Sequence, residues 1–456
     1  MIAKQDILDR AQEWLLQASV VEKDYVLGWV LAAIAQHQET SEQWVFKGGT
    51  CLKKCYFETY RFSEDLDFSL LPDAAYDAEA LTQTFREIVE IAHELSGITF
   101  PAELVSVKAR VDKLGRGTFE GKIGYSGPLG FTRSLPRLLF DLTRNEPVLA
   151  EPELRPVFHP YPDSLPDGTA VPAYSIEELF AEKTRALFER TRPRDLYDVV
   201  FILESRVGDV DLDEARDFFR RKCEAKDLQP PSSDQLLDVA RSSGELRSEW
   251  ENMLAHQLPQ LPPFEDHLVR LESVLRWIDA PRAATPLMAS FAAKEELVAP
   301  SGVTYWNVGV PLEVARFAGI NRLLVEFTYH GKPRLAAPYS LRRASNGNLL
   351  LYAWEVDSPH IKAFSVREIT GLRVTTTPFT PQYRVEFSSI GGIAAPMIAR
   401  TSSRRGRSDS RPLYVFRCGS CEKLFRHATN DSSLRAHKTP EGWRCTSRRG
   451  YLERVD

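Results

Sequence analysis

Long apolar runs are missing from this chain of 456 residues: nowhere do about 18 hydrophobic residues follow one another, the least a bilayer-spanning helix needs. The first residues, Met1-Ile2-Ala3-Lys4-Gln5-Asp6, lead into amphipathic sequence and not into the apolar core of a secretory signal. A cytoplasmic location with no membrane partner is the expectation. Cysteine is scarce, with six residues unevenly placed. Cys51, Cys55 and Cys223 lie far from the group Cys418, Cys421 and Cys445, a usage that in a reducing compartment argues against a disulfide framework and for a metal at the clustered end. Acidic residues are thin only at the C-terminal end. From Arg400 onward 14 Lys and Arg stand against 6 Asp and Glu, a local balance of +8 inside a chain whose net charge is −5. Such a tail is either a solvated face or a contact for nucleic acid.

What is present describes a globular protein, with 43% hydrophobic and 27% charged residues, long enough for about three domains. Residues 1 to 40 have helical periodicity, and Trp44-Val45-Phe46 reads as a short buried strand ending at two glycines. Residues 62 to 71 read as a second strand and residues 81 to 95 as an amphipathic helix. From 97 to 147 the pattern turns to β, alternating over 104–111 and 119–125 and closing with an apolar run at 135–142. This is an α+β layout.

The most informative stretch is Lys47-Gly48-Gly49-Thr50, followed by Arg61-Phe62-Ser63-Glu64-Asp65-Leu66-Asp67-Phe68. Paired glycines let backbone N–H groups approach a phosphate closely. Two carboxylates at i and i+2 on a strand leave the same face, where they can share a divalent cation. Asp141, inside the apolar Leu138-Leu139-Phe140-Asp141-Leu142, is either a solvent-facing edge residue or a carboxylate that needs a partner, which a metal held by Asp65 and Asp67 would provide. Further on, Ser175 and Glu178 have capping-box spacing, so a helix is predicted from there to about Arg190, with Pro193 in the first turn of a second. Lys183 and Arg190 share one side of the first helix, and Asp195 and Asp198 one face of the second. A lysine there suits the oxygens of a metal-bound triphosphate; the same residues also suit an ordinary salt-bridged hairpin.

Phe46-Lys47-Gly48-Gly49-Thr50, Arg61-Phe62-Ser63-Glu64-Asp65-Leu66-Asp67 and the block from Glu178 to Asp198 resemble the AbiEii/AbiGii toxin family of nucleotidyltransferases, part of the DNA polymerase β-like superfamily; Glu22-Lys23-Asp24-Tyr25 resembles its N-terminal helix. The resemblance covers about residues 1 to 280. It implies Mg²⁺ or Mn²⁺ held by Asp65, Asp67 and Asp141, and a triphosphate contacted by Gly48, Gly49, Thr50 and Lys183, with Lys47 and Arg190 beside it. It also implies an acidic role for Asp195 in orienting that lysine or the substrate. The turn has Gly-Gly-Thr where many superfamily members have Gly-Ser.

Past a Pro-containing linker at 279–286 comes a β-rich region with turns at Gly331-Lys332-Pro333 and Asn346-Gly347-Asn348. Pro338-Tyr339-Ser340-Leu341, Leu350-Leu351-Tyr352 and Phe364-Ser365-Val366-Arg367 resemble the WYL-type domain, a small SH3-like β-barrel, with the name triplet replaced. The resemblance implies a nucleotide or nucleic-acid ligand contacted by His330, Lys362 and Arg367; a purely structural barrel is the alternative. At the end, Cys418-x-x-Cys421 with His437 and Cys445 has the spacing of a structural Zn²⁺ site, His427 being the rival fourth ligand. Arg444 and Arg448 are candidate phosphate contacts beside it.

The expected fold class is α+β: a polymerase β-like nucleotidyltransferase domain with a helical extension over 1–280, a linker over 281–310, the WYL-like barrel over 311–395, a flexible basic linker over 396–412 and a zinc module over 413–456. The expected activity is transfer of a nucleotide from an NTP to an RNA 3′ end, plausibly the tRNA acceptor end, as the toxin of a toxin–antitoxin or phage-defence system restrained by an AbiEi-like antitoxin. A protein-modifying nucleotidyltransferase and a WYL-type regulator with an inactive transferase domain are the alternatives.

Overall fold

Met1–Ala395 and Pro396–Asp456 are two compact units of the computed structural model. The structure describes residues 1–57, 60–71, 76–111, 117–131, 134–144, 146–205, 210–279, 291, 293, 296–297, 312–358, 360–388, 414–418, 421, 423–427, 433–434, 437, 445 and 450–455. Arg444, Arg448 and the predicted linker over 396–412 lie outside the described residues.

The first unit is built on a seven-stranded mixed sheet. Its strands are β1 (Trp44–Lys47), β2 (Asp65–Leu70), β3 (Val105–Val111), β4 (Gly117–Gly124), β5 (Arg137–Thr143), β6 (Glu153–Pro156) and β7 (Ala170–Ala173), in the order β3-β4-β5-β2-β1-β7-β6. β2 runs parallel to β5 and β1 parallel to β7, while β1–β2, β3–β4, β4–β5 and β6–β7 are antiparallel. The predicted N-terminal helix is three: α1 (Lys4–Trp14), α2 (Ala18–Gln36) and α3 (Gln38–Gln43). Leu15 at a positive φ of 55° breaks the first from the second. α2 is buried almost all round from Val20 to Ile34, as a helix between a sheet and its neighbours must be. After β1 comes the single turn α4 (Gly48–Cys51). α5 (Ala78–Ser96) packs on α2 and β3 with an Asp77 cap.

α6 (Ile176–Arg190) and α7 (Pro193–Ser205) form the predicted hairpin, with Thr191 in the left-handed region between them. The Ser175 hydroxyl accepts from Glu178 N–H, as the capping-box spacing requires, but the Glu178 carboxylate does not reach back. It is fully buried, accepting from Leu149 and Ala150 N–H and pairing with Lys222 at 2.7 Å, because a loop with unsatisfied amides and a buried ammonium lie closer than the cap. α8 (Leu212–Glu224), α9 (Ser233–Ser242), α10 (Gly244–Ser248), α11 (Trp250–Leu254) and α12 (Phe264–Val274) complete the helical extension, with Trp250, Leu254, Leu268, Leu271, Val274 and Trp277 buried as core.

α13 (Leu312–Ile320) lies on a second sheet of β8 (Glu296–Leu297), β9 (Leu323–Tyr329), β10 (Lys332–Arg343), β11 (Leu349–Glu355), β12 (Ile361–Ser365) and β13 (Ile369–Pro378), ordered β12-β11-β10-β9-β13 with β8 on β10. The β9–β10 turn sits one residue earlier than predicted. His330 and Gly331, with φ of 51° and 74°, are its central pair, and Pro333 already belongs to β10 where only β9 is its neighbour. Part of the predicted 281–310 linker is also structured: β8 pairs with Arg342 and Arg343, and buried Phe291 stacks on Tyr352 at 5.1 Å. This sheet is not a separate body. Tyr197 of α7 donates to Asn321 at 2.8 Å, and Arg322 and Arg270 of α12 converge on Glu204 of α7.

In the second unit, β14 (Tyr414–Cys418), β15 (Leu424–His427) and β16 (Gly450–Val455) form an antiparallel sheet in the order β15-β14-β16. Among the described residues no helix is long and apolar enough to cross a membrane.

Candidate active site

Registry across the main sheet lines up one face. Lys47 on β1 stands opposite Asp67 on β2, Asp67 opposite Asp141 on β5, Asp141 opposite Glu120 on β4, and Glu120 opposite Lys108 on β3. Cα partners point to the same side, and Asp65 joins that side from two residues before Asp67. Asp65 and Asp67 are half-buried and Asp141 is exposed. Burial and the neighbouring Asp141 and Asp65 carboxylates push Asp67 up to about 7 against the pull of Lys47 and Lys183. Although the Asp141 side chain reaches solvent, the protein packed around its carboxyl partly desolvates it and raises it, with Glu146, Glu120 and Asp65 adding to the effect against Lys47.

Gly48, at φ +78°, lies directly against the Asp67 carboxylate, so a β-carbon there would occupy the space of that group. Thr50, expected on phosphate, is buried, and its hydroxyl donates to the Asp65 carbonyl, tying the glycine turn to β2. That proton is not available to an anion in this arrangement. Lys47 is likewise committed: it pairs with Glu146 in a site where both side chains are 7% exposed.

The α6–α7 hairpin brings the cations. Lys183 pairs with Asp198 at 2.9 Å and Asp195 at 3.4 Å. Arg190 is bidentate on Asp195 at 2.8 and 3.1 Å while its side chain stays 56% exposed. Asp198 also accepts from Arg61 Nε and Nη2, both at 2.7 Å, and from the Tyr60 hydroxyl. Burial disfavours the charge on Asp198, but Arg61 and Lys183 outweigh it and hold the carboxyl below its usual range. Lys183 and Arg190 both lie close enough to Asp67 for their charges to be coupled to it. The result is a row of carboxylates on the sheet coupled to cations on the hairpin.

Three site residues were not singled out from the sequence. Asp198 was read only as sharing a face with Asp195, and Arg61 only as part of the motif; their bidentate pair joins segments 137 positions apart. Arg194, in the first turn of α7, is half-buried with a buried Nε lacking a hydrogen-bond partner, and has no carboxylate in ion-pair range among the described residues. Burial and Arg61 press its proton affinity down, while Asp65, Asp198 and Glu64 oppose this. Its place next to Asp195 was the one sequence signal available.

Elsewhere, Lys23 and Asp24 of α2 brace this region: Lys23 pairs with Glu64 at 2.8 Å, and Asp24 with buried Lys54 at 2.7 Å. In the second sheet, exposed His330 pairs with Glu368 at 2.9 Å beside exposed Arg367, whereas Lys362, near the other end of β12, pairs with Glu355. Among the described residues, the one group of three or more metal-ligand side chains whose donor atoms gather within 4.8 Å is Cys418, Cys421, His437 and Cys445. Asp65, Asp67 and Asp141 share a face without closing that tightly, as carboxylates that repel one another do.

A family model described as Nucleotidyl transferase AbiEii toxin, Type IV TA system, matches residues 29–276. No curated protein matches the chain. Among solved structures the chain is similar to JHP933 from Helicobacter pylori, at 17% identity over 58% of this chain and 93% of that one, with a TM-score of 0.38.

Proposed function

Because the chain belongs to the AbiEii family of nucleotidyl transferase toxins of type IV toxin–antitoxin systems, we propose that it transfers a nucleotide from an NTP to an RNA 3′ end, with the tRNA acceptor end as the favoured substrate and a cognate antitoxin as its restraint. The observation that carries this reading is the facing of the Asp65, Asp67 and Asp141 carboxylates by the Lys183, Arg190 and Arg194 cations.

The residues fit a hard divalent cation: three carboxylates on one face of the sheet. Asp65, Asp67 and Asp141 would hold Mg²⁺ or Mn²⁺, which when bound neutralises phosphate charge and activates the attacking hydroxyl. The chain's own residues do the positioning. Gly48 leaves space beside Asp67 for the turn, and Gly49 extends it. Lys183, fixed by Asp195 and Asp198, presents a compact positive charge to the triphosphate, and Arg190 and Arg194 extend it. The acceptor hydroxyl gives up its proton to water, a bond forms between its oxygen and the α-phosphorus as the bond from that phosphorus to the bridging oxygen breaks, and pyrophosphate leaves.

The test is incubation of the purified chain with total tRNA, Mg²⁺ and each labelled NTP in turn, beside an Asp65→Ala/Asp67→Ala control. Label in RNA that the double variant abolishes is the expected result. Label only in protein would replace RNA as the acceptor, and no label with any NTP would overturn the reading.

A further inference from the structure

Among its described residues the C-terminal unit has few of the means by which a small domain normally stays folded. Its described residues form one three-stranded sheet and one apolar cluster, in which Cys418, Leu434 and Cys445 are buried and Cys421 and Phe425 pack against them. Three strands need a hydrophobic face or a staple, and a unit of this size usually needs the staple. The residues at the centre of the cluster are themselves metal donors.

Their geometry is that of a metal site. None of the six cysteines is joined in a disulfide. Cys418 Sγ and Cys445 Sγ stand 3.8 Å apart, far beyond the roughly 2.05 Å of a disulfide. With Zn–S bonds of about 2.3 Å, the edge of a tetrahedron is about 3.8 Å, the same separation. Cys421 and His437 complete a set whose donor atoms all lie within 4.8 Å of one another. Two backbone bonds hold the set: Cys418 N–H donates to Lys423 O at 2.9 Å, closing the turn that carries Cys421, and Cys445 N–H donates to His437 O at 3.0 Å. The ring of Phe425 lies 4.7 Å from that of His437.

Backbone position separates the two histidines. His427 is opposite Tyr414 at the far end of β14 from Cys418, and four residues of strand are about 13 Å. His437 is in the cluster.

We propose that Cys418, Cys421, His437 and Cys445 bind one Zn²⁺ as a closed, four-coordinate structural site whose occupancy folds the C-terminal unit. Four protein donors leave no open position for a water or substrate, so the ion holds the fold and takes no part in transfer chemistry. Three thiolates and Zn²⁺ sum to a negative centre, which the local excess of Lys and Arg from residue 400 onward offsets. Soft thiolate donors favour Zn²⁺ over the hard cation proposed for the aspartate face, so the two sites do not compete.

The test uses the full chain purified without a metal-affinity tag. Elemental analysis is expected to find stoichiometric zinc, and exchange for Co²⁺ to give thiolate charge-transfer bands with ligand-field bands of tetrahedral intensity. Cys418→Ser/Cys421→Ser is expected to lose the metal and His427→Ala to keep it. His437→Cys is expected to keep it with a cobalt spectrum shifted toward four-sulfur ligation. A zinc chelator is expected to make residues 414–455 protease-sensitive while the unit before residue 395 keeps its melting temperature. Zinc at a small fraction of the chain concentration, a Cys418–Cys445 disulfide in the peptide map, or zinc retained by the double-serine variant would each overturn the site. None of these outcomes depends on whether the chain transfers nucleotides.

Discussion

Around Lys183 the charges do not cancel. Asp195 and Asp198 are two buried carboxylates, and three cations lean on them, Lys183, Arg190 and Arg61. One positive charge is left over beside the three-aspartate face, and Arg194 adds another without any carboxylate in ion-pair range among the described residues. A half-buried guanidinium that lacks a counterion is partly desolvated at a cost, and an anionic ligand is what removes the cost. Arg194→Ala is therefore expected to lower kcat/KM for the NTP about 10- to 100-fold, the worth of a charge-assisted contact of roughly 1.5–3 kcal/mol. The melting temperature should not fall, since no pairing is lost. A variant that melts earlier at unchanged kcat/KM would assign Arg194 to the fold instead.

At the scale of elements, the glycine turn and the helix stack make separate demands. Gly48 needs both its positive φ and its missing β-carbon, the first for the turn into α4 and the second for the Asp67 carboxylate. Gly48→Ala is expected to cost about 1 kcal/mol of stability through the backbone, and far more in activity because Asp67 must move. Thermal melts and single-turnover transfer measured on the same sample separate the two effects. His267 of α12 is a different case: it is fully buried, stacked on Tyr197 at 5.4 Å and packed on Trp250 at 5.1 Å. Burial, with Arg270 nearby, holds its proton affinity well below the ordinary value. The unfolded chain takes up a proton near pH 6.5 and the folded one does not, so stability is present above that pH and is lost as pH falls through it. The expected slope is about 1.4 kcal/mol per pH unit from this one group. His267→Phe should flatten the dependence of melting temperature on pH below 6.5, and an unchanged slope would remove His267 as its source.

The same stack explains why some elements were legible and others were not. β1, β2, α5, α6 and α7 announce themselves through local signals, namely periodicity, Ser175 before a helix and Pro193 at a helix start, and the structure has them within a few residues of the prediction. The side-chain partner of Glu178 and the pairing of β8 with β10 depend on residues distant in sequence, so no local pattern carries them.

For the whole molecule, the second sheet is held to the helices by a buried polar seam. Glu204 of α7 serves both Arg270 and Arg322, and Tyr197 reaches Asn321. Residues 1–395 are one compact unit, so the α6–α7 hairpin and the second sheet share a boundary through α7. A chain ending at Ala395 is expected to melt in one calorimetric transition. Glu204→Gln, which leaves Arg322 without a carboxylate and Arg270 with Asp266 alone, is expected to lower its stability by roughly 3 kcal/mol. Two transitions in the unsubstituted chain would show the sheet to be an independent domain.

What the sequence determined by itself is the chemistry: paired glycines before a strand, aspartates two apart, a lysine-bearing helix and a Cys/His group each declare a residue type at a short spacing, and short spacings survive in any fold that keeps the element. Tertiary structure alone decided the partnerships. The row from Lys47 to Glu120 is set by strand registry, the commitment of Lys47 to Glu146 and of Thr50 to a carbonyl by which groups are buried together, and the choice of His437 by the position of a hairpin end. Burial makes an unpaired charge or hydrogen-bonding group expensive, so each buried group takes a partner that the fold brings within reach, and a one-dimensional pattern holds no record of which residues those are.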